Sequence, residues 1–342
     1  MAARWIRASS LSGELCIVSV FILRRLMQSM LVVVVMSWIV FFGVNVVGDP
    51  VDMLVSPEAD QAEIEATKAR LGLDKPIHVQ YVYFVKNAFK GDLGNSFIFG
   101  EPALKLIVQR MPATLELAIA SLILSIIVGI PLGMYAGLRP DSATSKTIMA
   151  GSILGFSLPS FWVGLMFIML FAVMLGWLPS TGRGDTVDLF GVPVSFLTWD
   201  GFQHLLLPAL NLSLFKFAFV IRLTRAGTKE AIHQDYIKFT RAKGLSEERV
   251  VLVHLMKNIL IPVVTVIGLE FGNTIAFAVV TETVFAWPGM GKLLIDSIQQ
   301  LDRPVVVAYL MIIVLMFITI NLVVDILYSL LDPRVRVKDM KA

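Results

Sequence analysis

The 342-residue chain predicts an all-α membrane protein of six transmembrane helices with both termini on the cytoplasmic side. Three observations carry that expectation. The composition is 56% hydrophobic and 16% charged, with mean hydropathy +0.78, whereas a soluble domain carries about 25% charged residues. Six runs approach or exceed the roughly 20 apolar residues that cross a ~30 Å hydrocarbon core. Basic residues, finally, gather beside alternate ends of those runs.

The runs span roughly 26–47, 113–136, 148–175, 202–224, 258–285 and 304–330. Ahead of the first, 15–23 is apolar behind Arg4 and Arg7 and resembles a short signal-peptide core. No small-residue cleavage site follows, and Arg24-Arg25 leads straight into the next run. Residues 1–23 are therefore expected to be an uncleaved cytoplasmic or interfacial extension of a permeation domain over 24–336, with a short tail at 337–342. The third run carries Leu158-Pro159-Ser160 and reads as one long span with an irregularity, then a loop dipping at the outer surface. Two short spans are the alternative.

One set of segments holds Arg4, Arg7, Arg24, Arg25, Arg139 and Lys146. It also holds eight basic residues between Arg222 and Lys257, then Arg334, Arg336, Lys338 and Lys341. The opposite set holds Arg183, Lys292, Arg303 and a long loop, 49–110, rich in both signs. The positive-inside rule places the first set in the cytoplasm. Within the long outer loop, 58–70 and 79–89 have helical spacing. That loop either meets an extracytoplasmic partner or only covers the outer mouth.

The loop 225–257 between spans four and five is basic and amphipathic. It reads as two short helices joined at Gly244, a residue suited to a left-handed cap. Tyr236, Ile237 and Phe239 supply apolar positions before the joint, and Val250, Val253 and Leu255 after it. Ser246 with Glu247 and Glu248 resembles a helix start. Such a module either anchors a loop at the membrane surface or offers a docking site to a soluble partner.

Ionisable residues within spans are costly and often functional. Lys216 lies about 9 Å below the inner interface, counting 1.5 Å per residue from Arg222, and Glu270 is nearer the midplane. The two either face a pathway, where they would recognise a charged or zwitterionic solute, or form an interhelix ion pair; Lys216 alone could also snorkel. Glu282 and Asp325 are expected near interfaces. Asn211, Asn273, Thr274 and Asn321 are candidates for bonds across helices. Gly129, Gly133 and Gly137, and Gly268 with Gly272, have the spacing of close helix contacts.

Several chemistries are disfavoured. Cys16 is the only cysteine, so neither an intrachain disulfide nor a cysteine metal site is possible. No nucleic-acid signature is present. The string GMGKLL at 289–294 has Ala286 where a P-loop needs its first glycine and Leu293 where it needs a hydroxyl. No HExxH occurs, and His78, His204, His233 and His254 fall near or outside the interfaces. No cofactor or metal is expected in this chain.

The stretch DYIKFTRAKGLSEERV, followed by LMKNILIPVV, resembles the "EAA" loop of bacterial ATP-binding-cassette importer permeases of the dipeptide, oligopeptide and nickel class. LGLDKPIHVQY, GDLGNSF, RMPATLELA, FSLPSFWVG, HLLLPALNL, TETVFAWPGMGKLL and DILYSLLDPR agree in order, over about 23–337. The resemblance implies a multi-pass protein of the bacterial inner membrane that does not itself hydrolyse ATP. Its implied partners are two ATP-binding subunits, a paralogous permease in a heterodimer, and a periplasmic solute-binding protein that delivers peptides or similar small solutes. It further implies a coupling helix at about 245–253, with Ala242, Gly244, Leu245, Ser246, Glu248 and Val250 meeting the ATPase. The triad that names the loop is here Lys238, Phe239 and Thr240. Two other classes remain: a secondary transporter with Lys216 and Glu270 as relay, although six spans lack the usual inverted repeat, and an intramembrane enzyme.

Overall fold

The computed structural model describes residues 27–45, 51, 55 and 60–331. The expected extension 1–23, the tail 337–342 and the side chain of Asp325 lie outside the described residues. Helix α1 (Met27–Asn45) is followed by two shorter helices in the 49–110 segment. Of these, α2 (Gln61–Leu71) starts at Asp60, whose carboxylate accepts from the Glu63 N–H, and ends at left-handed Gly72. Helix α3 (Ile77–Ala88) starts behind Pro76. Both sit within a few residues of the expected 58–70 and 79–89. Helix α3 lies on α1 through Phe41, Phe84 and Tyr81.

The bundle follows: α4 (Ala103–Leu138), α5 (Ala143–Ser157), α6 (Ser160–Phe167), α7 (Trp199–Ala231), α8 (Asp235–Ala242), α9 (Met256–Val284), α10 (Met290–Gln299) and α11 (Arg303–Leu331). Among the described residues, four helices are long and apolar enough to cross a membrane, or five if the bent α5–α6 pair is one span. The 36-residue α4 reaches about 54 Å at 1.5 Å per residue, more than one hydrocarbon core.

The third apolar run differs from a long rod with an irregularity. Its two halves meet at 106°. Pro159 has no N–H to continue α5, and it drives Leu158 into an extended conformation (φ −86°, ψ 139°). Helix α6 then continues as π-helical turns over Ile168–Met174. A feature absent from the sequence reading follows, a two-stranded antiparallel hairpin of β1 (Val187–Leu189) and β2 (Val192–Val194).

Glycines decide how the long helices meet. A Cβ on Gly133 would stand 2.7 Å from the Ile221 carbonyl oxygen, and one on Gly137 2.5 Å from Thr228 Cβ. Gly129 meets Val220 in the same way. Contacts therefore ascend together along α4 and α7, which run parallel with backbones close enough for dispersion contact that larger residues would block. Gly268 against Val324 and Gly272 against Phe317 set α9 antiparallel to α11.

These pairings divide the core by height. Ala113, Leu117, Leu205, Ala209 and Trp287 cluster at one end of the bundle. Ile130, Met134, Val220, Ile237, Val250 and Leu255 cluster at the other. The small-residue spacing thus serves packing within one chain.

Gly133→Ala is expected to cost about 1–3 kcal/mol by overpacking, read as a lower unfolding temperature of the purified protein. Gly151→Ala on α5, where a Cβ meets nothing within 4 Å, should be neutral or stabilising by up to about 1 kcal/mol.

Candidate functional site

The basic end carries a discrete amphipathic helix. Helix α8 opens with Asp235 and closes with Arg241, charges that complement its dipole. Ile237 is 0% exposed and anchors α8 in the core. Tyr236 and Phe239 point away from it, and Phe239 is 60% exposed. Lys243 Nζ sits 4.5 Å above the Phe239 ring. Gly244 then reverses the chain at φ +76°. Across that turn Arg241 donates twice to Glu247, at 2.7 and 3.0 Å. The bidentate bridge raises the Arg241 pKa and lowers that of Glu247.

The second half of the module corrects the expected separate helix at 245–253. From Glu247 the chain is helical through π-helical Val250–Leu255 and runs without a break into α9. Burial explains this: Val250 and Leu255 are each 1% exposed and share one apolar cluster with Ile237 and Ile259. Among the residues expected to meet an ATPase, Ala242, Gly244, Ser246 and Glu248 are exposed and Leu245 is half-buried. Val250 is core.

Lys216 and Glu270 line one small gap with Ser125 and Ile267, between α4, α7 and α9. They share it without touching. Lys216 is 7% exposed, and its Nζ donates to the Leu212 carbonyl of its own helix at 2.8 Å. Glu270 accepts from Asn273 at 3.3 Å. Only Asn211 of the four neutral candidates bridges helices, donating to Thr281 at 3.2 Å. Thr274 bonds the Glu270 carbonyl within α9.

The opposite end is built on three buried carboxylates. Glu116 of α4 accepts from Arg183 Nε at 3.0 Å and Nη2 at 2.6 Å. It also accepts from Ser195 N at 2.7 Å, Ser195 Oγ at 2.8 Å and Phe196 N at 2.9 Å. Glu282, 0% exposed, accepts from Thr114 Oγ1 at 2.6 Å and from Lys292 N at 3.0 Å. Thr114 Oγ1 in turn accepts from Met290 N at 2.8 Å. Trp287, fully buried, donates its indole N–H to the Ala113 carbonyl at 2.9 Å. Asp302 accepts from Ser96 Oγ at 2.5 Å and Phe97 N at 3.0 Å.

Glu282 lies near a span end, as expected, but is enclosed by protein and not open to interfacial water. It supplies the anion at the start of α10, where free N–H groups favour negative charge. Gly289 and Gly291 pass so close to its carboxylate that a Cβ on either would collide with it. Those glycines of GMGK serve a carboxylate of the same chain, leaving no cradle for phosphate.

The family described as "Binding-protein-dependent transport system inner membrane component" matches residues 129–337, and its N-terminal companion matches 18–118. The chain belongs to this family. The di/tripeptide transport system permease protein DppB of Pseudomonas aeruginosa (strain UCBPP-PA14) is 40% identical over 318 residues, covering 86% of this chain and 95% of that protein. The glutathione transport system permease protein GsiC of Escherichia coli (strain K12) is 37% identical over 319 residues, covering 93% and 99%. The inward-facing MetNI methionine ABC transporter shares the fold, with TM-score 0.51 at 16% identity, over 67% of this chain and 97% of that one.

In this ABC importer permease the family-like segments, distant in sequence, converge at the carboxylate end. GDLGNSF reaches the start of α11 through Ser96 and Phe97 on Asp302. RMPATLELA meets TETVFAWPGMGKLL through Thr114, Ala113, Glu282 and Trp287. Gly164 of FSLPSFWVG would place a Cβ 3.2 Å from Phe285 and 3.4 Å from Asn211 of HLLLPALNL. Glu116 was missed by sequence reasoning, although a carboxylate three residues inside an apolar run is itself a signal.

Glu116→Ala would strand a buried Arg183, whose side chain is 10% exposed. A loss of about 3–5 kcal/mol is expected, seen as a lower unfolding temperature. Adding Arg183→Ala should recover part of it, since no unpaired charge then remains.

Proposed function

We propose that this permease forms half of a solute path and pairs with a paralogous permease, with two ATP-binding subunits on its basic end and a solute-binding protein at the other. Helix α9, 29 residues long, and the bent α5–α6 pair bring the spans to six. The distribution of basic residues supports cytoplasmic termini and an inner-membrane location, with 24–336 as one permease domain. ATP hydrolysis belongs to the partners, since the only P-loop-like string encloses Glu282. Peptides or peptide-like small solutes are the substrate class, by analogy with the relatives named for di/tripeptides and glutathione. ATP-driven closure of the partner pair would then bias the bundle between two access states.

One observation carries the docking assignment. Helix α8 is seated by Ile237 yet presents Tyr236 and Phe239 outward beside Lys243, an aromatic and cationic face with no partner of its own in the described chain. The docking turn is α8 with Ala242, Gly244, Leu245, Ser246 and Glu248, centred earlier than the 245–253 segment. Phe239→Ala should lower affinity for the ATP-binding subunits on the order of tenfold, a cost of about 1.4 kcal/mol. It should also reduce uptake by reconstituted transporter without changing the permease's unfolding temperature. Unchanged subunit affinity would refute this docking face.

Lys216 and Glu270 are assigned to holding α7 against α9. Lys216 is buried and Glu270 half-buried between the helices, and their separate local hydrogen bonds support electrostatic attraction across a gap over direct solute contact. Exchanging them (Lys216→Glu with Glu270→Lys) should restore the stability that either change alone removes, with the preference for anionic over cationic solutes unchanged. A switched preference would place the pair in the solute path.

A further inference from the structure

The β1–β2 hairpin has one apolar face that the described chain buries at Val194 and leaves open towards the tip. Val187 pairs with Val194 and Leu189 with Val192, so these four side chains share a face while Asp188 and Pro193 share the other. Val187, Leu189 and Val192 are each at least 40% exposed. At the turn, Phe190 is 99% exposed and held at φ +53°, beside Gly191 at φ +82°. A two-residue turn of this hand favours Asn, Asp or Gly. A phenylalanine there accepts backbone strain to present an apolar ring at the tip.

The hairpin is rigidly mounted. Arg183 Nη2 donates to the Pro193 carbonyl at 2.7 Å while also bound to Glu116. Ser195, immediately after β2, bonds Glu116 through both N and Oγ. These contacts fix the height of the hairpin. Glu116 lies about 33 Å along α4 from Leu138, and Trp199 about 35 Å along α7 from Arg222, at 1.5 Å per residue. Each distance is close to one hydrocarbon core of ~30 Å.

The surroundings have the composition of a membrane–water boundary. Trp177 and Trp199 are 64% and 74% exposed, and Trp199 stacks on Phe202. Between 186 and 199 the only charged residue is Asp188, on the face away from the valines. Aromatic residues collect at this depth because their rings are apolar and their edges polar.

We infer that the hairpin is a lipid-interface anchor, with Phe190, Leu189, Val187 and Val192 inserted among the headgroups and upper acyl chains of the leaflet opposite α8. This rests on the membrane orientation proposed above only for which leaflet is meant. Contact with a neutral surface needs no charge complementarity, and the hairpin offers almost none. The apolar surface also continues onto exposed Phe202 and Trp199 at the start of a membrane span.

The test uses the single native cysteine position. In a Cys16→Ser background, Phe190→Cys carries a spin label in the full transporter, reconstituted in phosphatidylethanolamine–phosphatidylglycerol vesicles. Collision with oxygen, which partitions into lipid, is compared with collision with a water-soluble nickel chelate. Glu65→Cys on exposed α2 is the aqueous reference. An oxygen-to-nickel ratio on the order of tenfold above that reference is expected, as for side chains 5–10 Å into the boundary. A ratio equal to the reference overturns the inference. So does shielding from both probes, in the full transporter itself or once the solute-binding protein is added, which would make the hairpin a protein contact. ATP-driven uptake is read in the same vesicles. Uptake with a water-exposed label sinks the anchor alone, and a lipid-immersed label without ATP coupling sinks the importer reading alone.

Discussion

A carboxylate buried in a membrane bundle is tolerable only where fixed donors replace its lost hydration, and this requirement organises the end of the permease opposite α8. Desolvating such a group costs several kcal/mol, offset only by well-directed charge-assisted hydrogen bonds. Glu116, Glu282 and Asp302 meet the condition with donors drawn from elsewhere in the chain. Each set combines hydroxyl and backbone N–H groups, and Glu116 adds a guanidinium. Because every donor but Thr114 of α4 comes from a loop or the short α10, satisfying each carboxylate fixes a piece of irregular chain. The hairpin, α10 and the 91–97 segment therefore hold their places without large cores of their own.

The α8 end is held differently. Its contacts to the bundle are apolar, through Ile237, Val250 and Leu255, and its principal polar link is the exposed Arg241–Glu247 bridge. Exposed pairs contribute about 1 kcal/mol or less. Hydrophobic contacts are non-directional, whereas the three carboxylate networks depend on donors held in fixed directions. Between the two runs unbroken helix from Glu247 to Val284, which contains Glu282. The segment that follows the proposed docking turn and one of the rigid anchors are thus parts of a single rod, a connection suited to carrying a displacement from one end to the other.

Much of this was legible before any coordinates. Long apolar runs give helices, since bilayer length and backbone satisfaction leave no other solution; the ends of α1, α9 and α11 fall within two residues of their runs, whereas α4 begins ten residues before its run and α7 ends seven after. Glycine spacing forecast the close contacts, and Gly244 forecast the reversal. What escaped were features fixed by tertiary partners. The break at Pro159 was visible, but its 106° angle depends on what α5 and α6 rest against. Val250 and Leu255 look like the apolar face of a short surface helix. Only the presence of Ile237 and Ile259 beside them makes that face core and fuses the segment to α9. The hairpin has three-residue strands, too short for alternation to announce itself.

Glu282 shows why residue type without partner misleads. In sequence it is an acid near a span end, for which water at the interface is explanation enough, and GMGK is a turn that lacks the first glycine and the hydroxyl of a phosphate loop. Neither reading connects them. In the fold both are halves of one arrangement, a helix N-terminus needing an anion and a carboxylate needing N–H donors. The glycines remain because side chains would occupy the volume of the carboxylate, and Thr114 completes the cage by serving Glu282 and Met290 N together. A motif that resembles a ligand site can therefore be the imprint of an internal ligand. The resemblance is physical in origin, since phosphate and glutamate place the same demand on the start of a helix.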